Sequence, residues 1–377
     1  MNQRYYSLDV FRGATVALMI LVNNPGSWGN IYSPLKHATW HGCTPTDLVF
    51  PFFLFAVGNA MAFVMPRFEA AGDAFFWKKV IKRTLLIFLI GLLLHWSPFV
   101  KWEGDSLVGK NLDNLRIFGV LQRIALCYFF ASVIVYYGKT KGAFVISGIL
   151  LLLYWFITVW LGKAGDPFSL QGYFGISIDK AILGEAHMYK GEGVAFDPEG
   201  ISSTMAAIVQ VVFGFLAGQY IQQKGKNYEM LANLMIAGLV LIFAGFCWDM
   251  VFPINKKIWT SSYVLYTTGL AMLTISLLIY LIEFRGIKGA WSRFFDVFGK
   301  NPLFIFVLSG FLPRLLALIR FKDGDELTSP LSWFWNHICK PISDDLRNGS
   351  LLYALAMIAF YWLIVYWMDK KKIYVKV

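Results

Sequence analysis

Residues 116–161 read RIFGVLQRIALCYFFASVIVYYGKTKGAFVISGILLLLYWFITVWL, two apolar runs on either side of the short, basic connector Gly138-Lys139-Thr140-Lys141-Gly142. A helix needs about 20 apolar residues to cross the hydrocarbon core of a bilayer, and each run supplies that length. Five residues between them are too few to build anything, so the second run must turn straight back. The pair therefore reads as a membrane hairpin, and the rest of the chain repeats the pattern.

Apolar stretches of spanning length recur at 8–24, 46–65, 80–97, 117–137, 142–161, 201–222, 229–250, 260–282, 300–319 and 350–368. The expectation is an all-α, polytopic membrane helix bundle of about ten spans, forming a single domain over 1–377. Composition agrees: 57% of the 377 residues are hydrophobic and only 15% are charged, against about 25% in soluble domains. An ordinary cytosolic enzyme is thereby disfavoured. Cys43, Cys127, Cys247 and Cys339 form no CxxC pair and read as small buried residues. Arg12 inside the first stretch, with no small-residue cleavage site, reads as a retained span rather than a signal peptide.

The net charge of +11 is not spread evenly. An even span number puts both termini on one side. The connectors on that side, from Arg4 and Arg12 through Lys78–Arg83 to Lys376, hold eighteen Lys and Arg against seven Asp and Glu, and everything else cancels. Short Lys/Arg-rich loops resist translocation, so this side is read as cytoplasmic, with both termini there, in the cell (inner) membrane. The opposite side carries the long connections 25–45, 98–116, 162–200 and 320–349, where a site for an external molecule belongs.

Polar residues at membrane depth mark function by default. Asp9 and Arg12 stand one helical turn apart and pair on one face or line a site. Asn23 and Asn24 end the first span before Pro25-Gly26; C-terminal capping accounts for one amide and leaves the other to explain. Gln122 and Arg123 would lie about 10 Å into the fourth span, where Arg123 meets Asp47, Asp249 or Asp296, or binds an anion. The densest cluster is Lys36-His37-Ala38-Thr39-Trp40-His41-Gly42-Cys43-Thr44-Pro45-Thr46-Asp47. Thr46 is suited to cap the second span, with Asp47 on its N-terminal dipole. His37 and His41 lack the further ligands of a zinc signature, so proton transfer is the preferred role for a histidine here. His187 shares its loop with Asp197 and Glu199. GxGxxG, GxxxxGK[ST], GxSxG and HExxH are absent, and the dispersed basic connectors do not make a nucleic-acid surface.

The segments SLDVFRG (7–13), VNN (22–24), KHATWHGCTPTDLVFPFF (36–53), RIFGVLQR (116–123), ILGEAHMY (182–189), VAFDPEGI (194–201), FPINKKIWTSSYV (252–264) and KKKIYVKV (370–377) occur in the order found in one family. With them the chain resembles the heparan-α-glucosaminide N-acetyltransferase family, the lysosomal transmembrane acetyltransferase and its bacterial relatives. It is expected to differ in lacking the large N-terminal extension with an extra first span, and it carries His41 where Asn follows the tryptophan. The resemblance implies an acyltransferase that takes acetyl from acetyl-CoA on the cytoplasmic face and delivers it to the amine of a terminal glucosamine on the other. It places the catalytic histidine on His37, as general base or transient acetyl carrier, and the neighbouring asparagine on Asn23 or Asn24. Asp47 then orients His37. Arg12, Arg83, Gln122 and Arg123 are the donor-binding candidates, arginine being suited to phosphate. Trp40, His41, His187, Asp197 and Glu199 are the acceptor-binding candidates. No metal is expected. The expected partners are acetyl-CoA, an amino sugar or glycan and the lipid bilayer, with no nucleic acid and with a homodimer as the oligomeric option. Two competing readings are a sugar or lipid-precursor transporter and an O-acyltransferase of envelope polysaccharide.

Overall fold

The computed structural model describes residues 5–375. Arg4 and Lys376, counted above on the basic side, lie outside the described residues. The chain is an all-α bundle. Its main helices are α1 (Tyr6–Asn23), α2 (Val49–Ala71), α3 (Asp73–Trp96), α4 (Val120–Leu161), α5 (Gly175–Leu183), α6 (Ile201–Lys224), α7 (Tyr228–Asp249), α8 (Ser261–Ile279), α9 (Ala290–Lys300), α10 (Pro302–Leu316), α11 (Pro330–Phe334) and α12 (Leu346–Lys370). Two small antiparallel hairpins, β1 (Val100–Glu103) with β2 (Ser106–Gly109) and β3 (Phe321–Asp323) with β4 (Glu326–Thr328), decorate the long connections.

Among the described residues seven helices are long and apolar enough to cross a membrane, or eight if α9 and α10, which meet at a 79° bend, make one broken span. The hairpin read at 116–161 appears as one 42-residue helix, but Lys139 breaks it with φ 51° and ψ −166°. That break falls inside the expected connector. The stretch expected at 80–97 belongs to α3, whose first half carries Asp73, Lys78, Lys79, Lys82 and Arg83 and so reads as polar despite its apolar end.

Close helix crossings hold the frame together. A Cβ on Gly58 of α2 would sit 1.9 Å from the Val211 carbonyl oxygen of α6, and one on Gly214 of α6 would sit 2.1 Å from that of Phe55. Gly13 of α1 and Gly299 of α9 meet in the same reciprocal way. Without a hydrophobic drive between helices in lipid, such small residues let backbones approach and gain dispersion contact. Many large apolar side chains on α4 and α7 stay exposed, among them Phe144, Trp160, Val240 and Phe243, as a lipid-facing surface requires. Cys247 is on that surface too, a correction to its expected burial; Cys127 and Cys339 are buried and Cys43 is half-buried.

The start and end of the described chain share one end of the bundle. Arg12 donates to the Gly299 carbonyl at 2.6 Å, while Asn301 bonds Ile373 and Val375 at 3.0 and 2.8 Å. The long connections 25–48, 98–119 and 162–200 gather together with a loop over 250–260, as Trp40 on Phe168, Arg116 on Asp197 and Gly42 beside Asn255 show.

A histidine cavity among the long connections

The entry to α2 is built by local hydrogen bonding. Thr44, extended at φ −98°, precedes the turn Pro45–Leu48. The Asp47 carboxylate accepts from the Thr44 backbone N–H and hydroxyl, both at 3.0 Å, and from the Ala38 N–H at 3.0 Å. This is reciprocal helix-start chemistry, so Thr44 takes the capping place expected for Thr46, whose hydroxyl instead donates to the Pro34 carbonyl at 3.3 Å. Three of these bonds use Asp47 Oδ2. Its Oδ1 is left for His37 Nδ1, 2.6 Å away.

That pair has a chemical orientation. A carboxylate accepts only, so His37 Nδ1 carries the proton and Nε2 keeps the lone pair. Asp47 is nearly sealed, with 1% of its side chain exposed, while 44% of the His37 side chain is open. His37 lines a cavity of about 300 Å³. Its walls come from distant parts of the chain: Trp40 and Asp47, Arg116, Tyr189 and Glu192, Glu199, then Lys256, Lys257 and Trp259.

The walls are tied together by ion pairs. Arg116 bonds Glu199 at 2.6 Å and Asp197 at 3.0 Å, and its guanidinium lies 4.7 Å from the Tyr189 ring centre. Burial pushes the Glu199 carboxyl up, but Arg116, Arg123 and Lys256 outweigh it and hold the group below the usual range. Glu199 is therefore anionic at neutral pH. Lys257 bonds Glu192 at 2.6 Å and the Thr39 carbonyl at 2.7 Å. Trp40 donates its indole N–H to the Phe168 carbonyl at 2.8 Å, which fixes its plane against Phe196. Lys256 reaches Asp47 Oδ1 at 3.3 Å, and burial draws its ammonium below the usual lysine range despite that carboxylate.

Of the expected acceptor residues, Trp40 and Glu199 line this cavity. Asp197 sits behind it, buried, holding Arg116 and the Tyr189 N–H. His187 is a prop: its Nδ1 bonds the Leu115 carbonyl at 2.7 Å. His41 turns away from His37 to Asn255, with ring Nδ1 and amide 3.3 Å apart. Burial lowers its pKa. The structure does not bring Asn23 or Asn24 to the cavity wall. Asn24 caps α1 through its amide on the Ile20 carbonyl at 3.0 Å, and Asn23 is exposed. Among the described residues no group of three His, Cys, Asp or Glu side chains is placed to share a metal ion.

The four donor candidates fall at different heights. Helix α4 starts at Val120, so Gln122 and Arg123 occupy its first turn and are not about 10 Å along a span; residues 116–119 are held in a loop by the Arg116 pairs and by His95 on the Arg116 carbonyl at 2.8 Å. None of Asp47, Asp249 and Asp296 partners Arg123. It donates to the Gly200 carbonyl at 3.0 Å and to Ser203, under the Trp259 ring, because the start of α6 is nearer than any acid. Asp249 instead accepts from the Ile254 N–H and Asp296 pairs with Lys300. Arg123 Nε and Nη1 and both amide atoms of Gln122 are buried without a hydrogen-bond partner among the described residues. Arg83 lies against Tyr128 in the first half of α3. Arg12, bonded to Asp9 at 2.7 Å, lines a second cavity of about 180 Å³ at the end of the bundle where the chain ends meet, with Tyr5, Asn59 and Phe63.

Lys256 and Lys257 escaped the sequence reading. Their signal was present: two adjacent lysines in a loop on the side where charge otherwise cancels, inside FPINKKIWTSSYV. Arg116, in RIFGVLQR, likewise has no local partner that would mark its part in the cavity wall.

Residues 4–174, which include His37, Trp40, Asp47, Arg116 and Arg123, match the family model described as heparan-alpha-glucosaminide N-acetyltransferase, catalytic. The heparan-alpha-glucosaminide N-acetyltransferase of Mus musculus is 26% identical over 433 residues, covering 99% of this chain and 60% of that protein. The Homo sapiens protein of the same name is 28% identical over 363 residues, covering 81% of this chain and 52% of that protein. The chain thus spans somewhat more than half the length of the curated relatives it matches. The chain is similar to the heparan-alpha-glucosaminide N-acetyltransferases, in line with the order of its motifs.

Proposed function

We propose that the chain is a transmembrane acetyltransferase, moving acetyl from acetyl-CoA at the basic, cytoplasmic end to the amine of a glucosamine-type sugar in the outer cavity. The observation that carries this reading is the 2.6 Å pairing of His37 with sealed Asp47 on the wall of a cavity that also offers aromatic and acidic groups. A sugar ring stacks on flat aromatic faces such as Trp40 and Tyr189. Glu199 and Glu192 suit an ammonium group, which gives one proton to solvent through the open cavity before the free amine attacks.

His37 performs the proton transfer. As the amine nitrogen forms its bond to the thioester carbonyl carbon, Nε2 accepts the amine proton; the C–S bond then breaks and the proton passes to the departing thiolate. Asp47 holds the tautomer and stabilises the imidazolium. We favour this direct transfer over an acetyl-histidine, because acceptor groups and base share one cavity. No step is routed through Asn23 or Asn24.

The donor enters from the other end. Arg12 sits there with the Tyr5 hydroxyl and Asn59 amide nitrogen, both buried and without a partner among the described residues. Buried donors are costly unless an acceptor arrives, and a phosphate supplies several. Gln122 and Arg123, near Trp259, belong to the thioester end of the donor's path. The chain crosses ten times if α4 counts as two spans and α3 and the α9–α10 pair as one each. An even number fits the meeting of both chain ends at one end of the bundle, in a single domain in the cell membrane.

Purified protein is expected to release CoA from acetyl-CoA only when glucosamine is present. His37→Ala should lower that rate by about 10²–10⁴-fold without loss of folding. Full activity in the folded variant would sink the mechanism, and acetyl found on oxygen would change the acceptor chemistry.

A further inference from the structure

Lys256 Nζ lies 3.1 Å from His37 Nδ1 and 3.3 Å from Asp47 Oδ1, although the loop that carries it is more than 200 residues away in sequence. The Nδ1 proton already goes to Asp47, so Nδ1 has no lone pair to offer the ammonium. Lys256 therefore pairs with Asp47 and stands beside the imidazole as an unbonded positive charge. One carboxylate oxygen serves two cations once His37 is protonated, and one cation when it is neutral.

We infer that Lys256 is a positioning residue for His37: by sharing Asp47 Oδ1 with the ring, its ammonium offsets the attraction of the carboxylate for an imidazolium. An Asp–His pair alone raises the basicity of the ring, because the carboxylate stabilises the charged form. A second cation on the same oxygen cancels that attraction. The other charged groups facing His37 do not replace this effect. From its own loop comes Lys36, exposed, with its carbonyl bonded by Thr44. From the 162–200 connection come Glu192 and Glu199, which are bound to Lys257 and Arg116. His41 faces Asn255.

Burial lowers the Lys256 pKa, against the pull of Asp47 and Glu199. The loop holds the ammonium there firmly. The Asn255 side chain accepts from the Ile258 N–H at 3.1 Å, the Asn255 N–H donates to Thr260 at 3.0 Å, and Gly42 pairs with the same strand-like segment.

The inference rests on the proposed role of His37, but its test does not require acetyl transfer. Diethyl pyrocarbonate modifies neutral imidazole, and mass spectrometry of the His37 peptide gives the pH at which half of the ring is reactive. In Lys256→Met that midpoint should rise by about one pH unit, the size expected for losing a charge a few ångströms away. Lys256→Arg, which keeps the charge, should stay near wild type, and Lys256→Gln serves as a second neutral variant if the methionine form does not fold. A midpoint that is unchanged or lower in a folded neutral variant overturns the inference. With glucosamine and acetyl-CoA, the acid limb of kcat/KM should move with the midpoint. If the midpoint moves but the wild-type protein transfers no acetyl to any amino sugar, the reading of the activity fails and the role of Lys256 stands.

Discussion

At the outer end of the bundle, the charged side chains lining the cavity are matched within the protein: His37 and Lys256 with Asp47, Arg116 with Glu199, and Lys257 with Glu192. At the inner end, Arg12 is bonded to Asp9, but the Tyr5 hydroxyl and Asn59 amide beside it are buried with no partner among the described residues. The difference fits the use proposed for each end. Matched pairs cost desolvation and return geometry, which suits a site that must orient a base. Unmatched buried donors return nothing until an acceptor arrives, which suits an anchor for a polyanion.

The most damaging way to break the outer end is Asp47→Asn, which keeps shape but no longer fixes the His37 tautomer. We expect kcat to fall by about 10²–10⁴-fold with the KM for acetyl-CoA little changed, read from initial rates of CoA release. A variant with normal kcat would show that the pair is only structural.

A second contrast concerns the frame behind the outer cavity. Asp179, buried, accepts from the Ile201 N–H at the start of α6, and burial together with Asp197 pushes its carboxyl up to about 6. A raised acid binds protons on folding, so its contribution is most favourable below about pH 4 and is lost as pH rises to about 6. Asp179→Asn keeps the acceptor oxygen without the charge. It should flatten stability across that window and, above it, stabilise by up to about 3 kcal/mol, measured as thermal unfolding in detergent at several pH values. An unchanged slope would remove Asp179 as its source.

The smallest expected effect sharpens the inner end. Arg12→Gln should raise the KM for acetyl-CoA about tenfold and leave the acceptor KM alone, as steady-state titration of each substrate would show. The wild-type KM should also rise with salt more than that of the variant. A rise in the acceptor KM instead would place the donor elsewhere.

How much of this was legible depends on distance along the chain. Spans, connectors and the Asp9–Arg12 pair follow from hydrophobic runs and one-turn spacing, both local quantities. The His37–Asp47 pair was also within reach, because ten residues of turn-rich sequence separate its members. Gln122 and Arg123 were set too deep, since the stop that delays α4 to Val120 comes from Arg116 meeting Asp197 and Glu199 some eighty residues later. No local pattern announces that contact. Asn23 and Asn24 show the reverse problem: their position in the chain suits a role beside His37, yet Asn24 turns back on its own helix.

Sequence by itself determined that the chain is a bundle of membrane helices, which side is basic, and that the segment from Lys36 to Asp47 is its densest polar cluster. Desolvating backbone and charge in lipid is so costly that composition alone enforces those outcomes. Only the tertiary structure decided which groups face His37. The fields that set a proton's position act over a few ångströms, and those ångströms are spanned here by Lys256, Glu199 and Arg116, brought together from three separate connections.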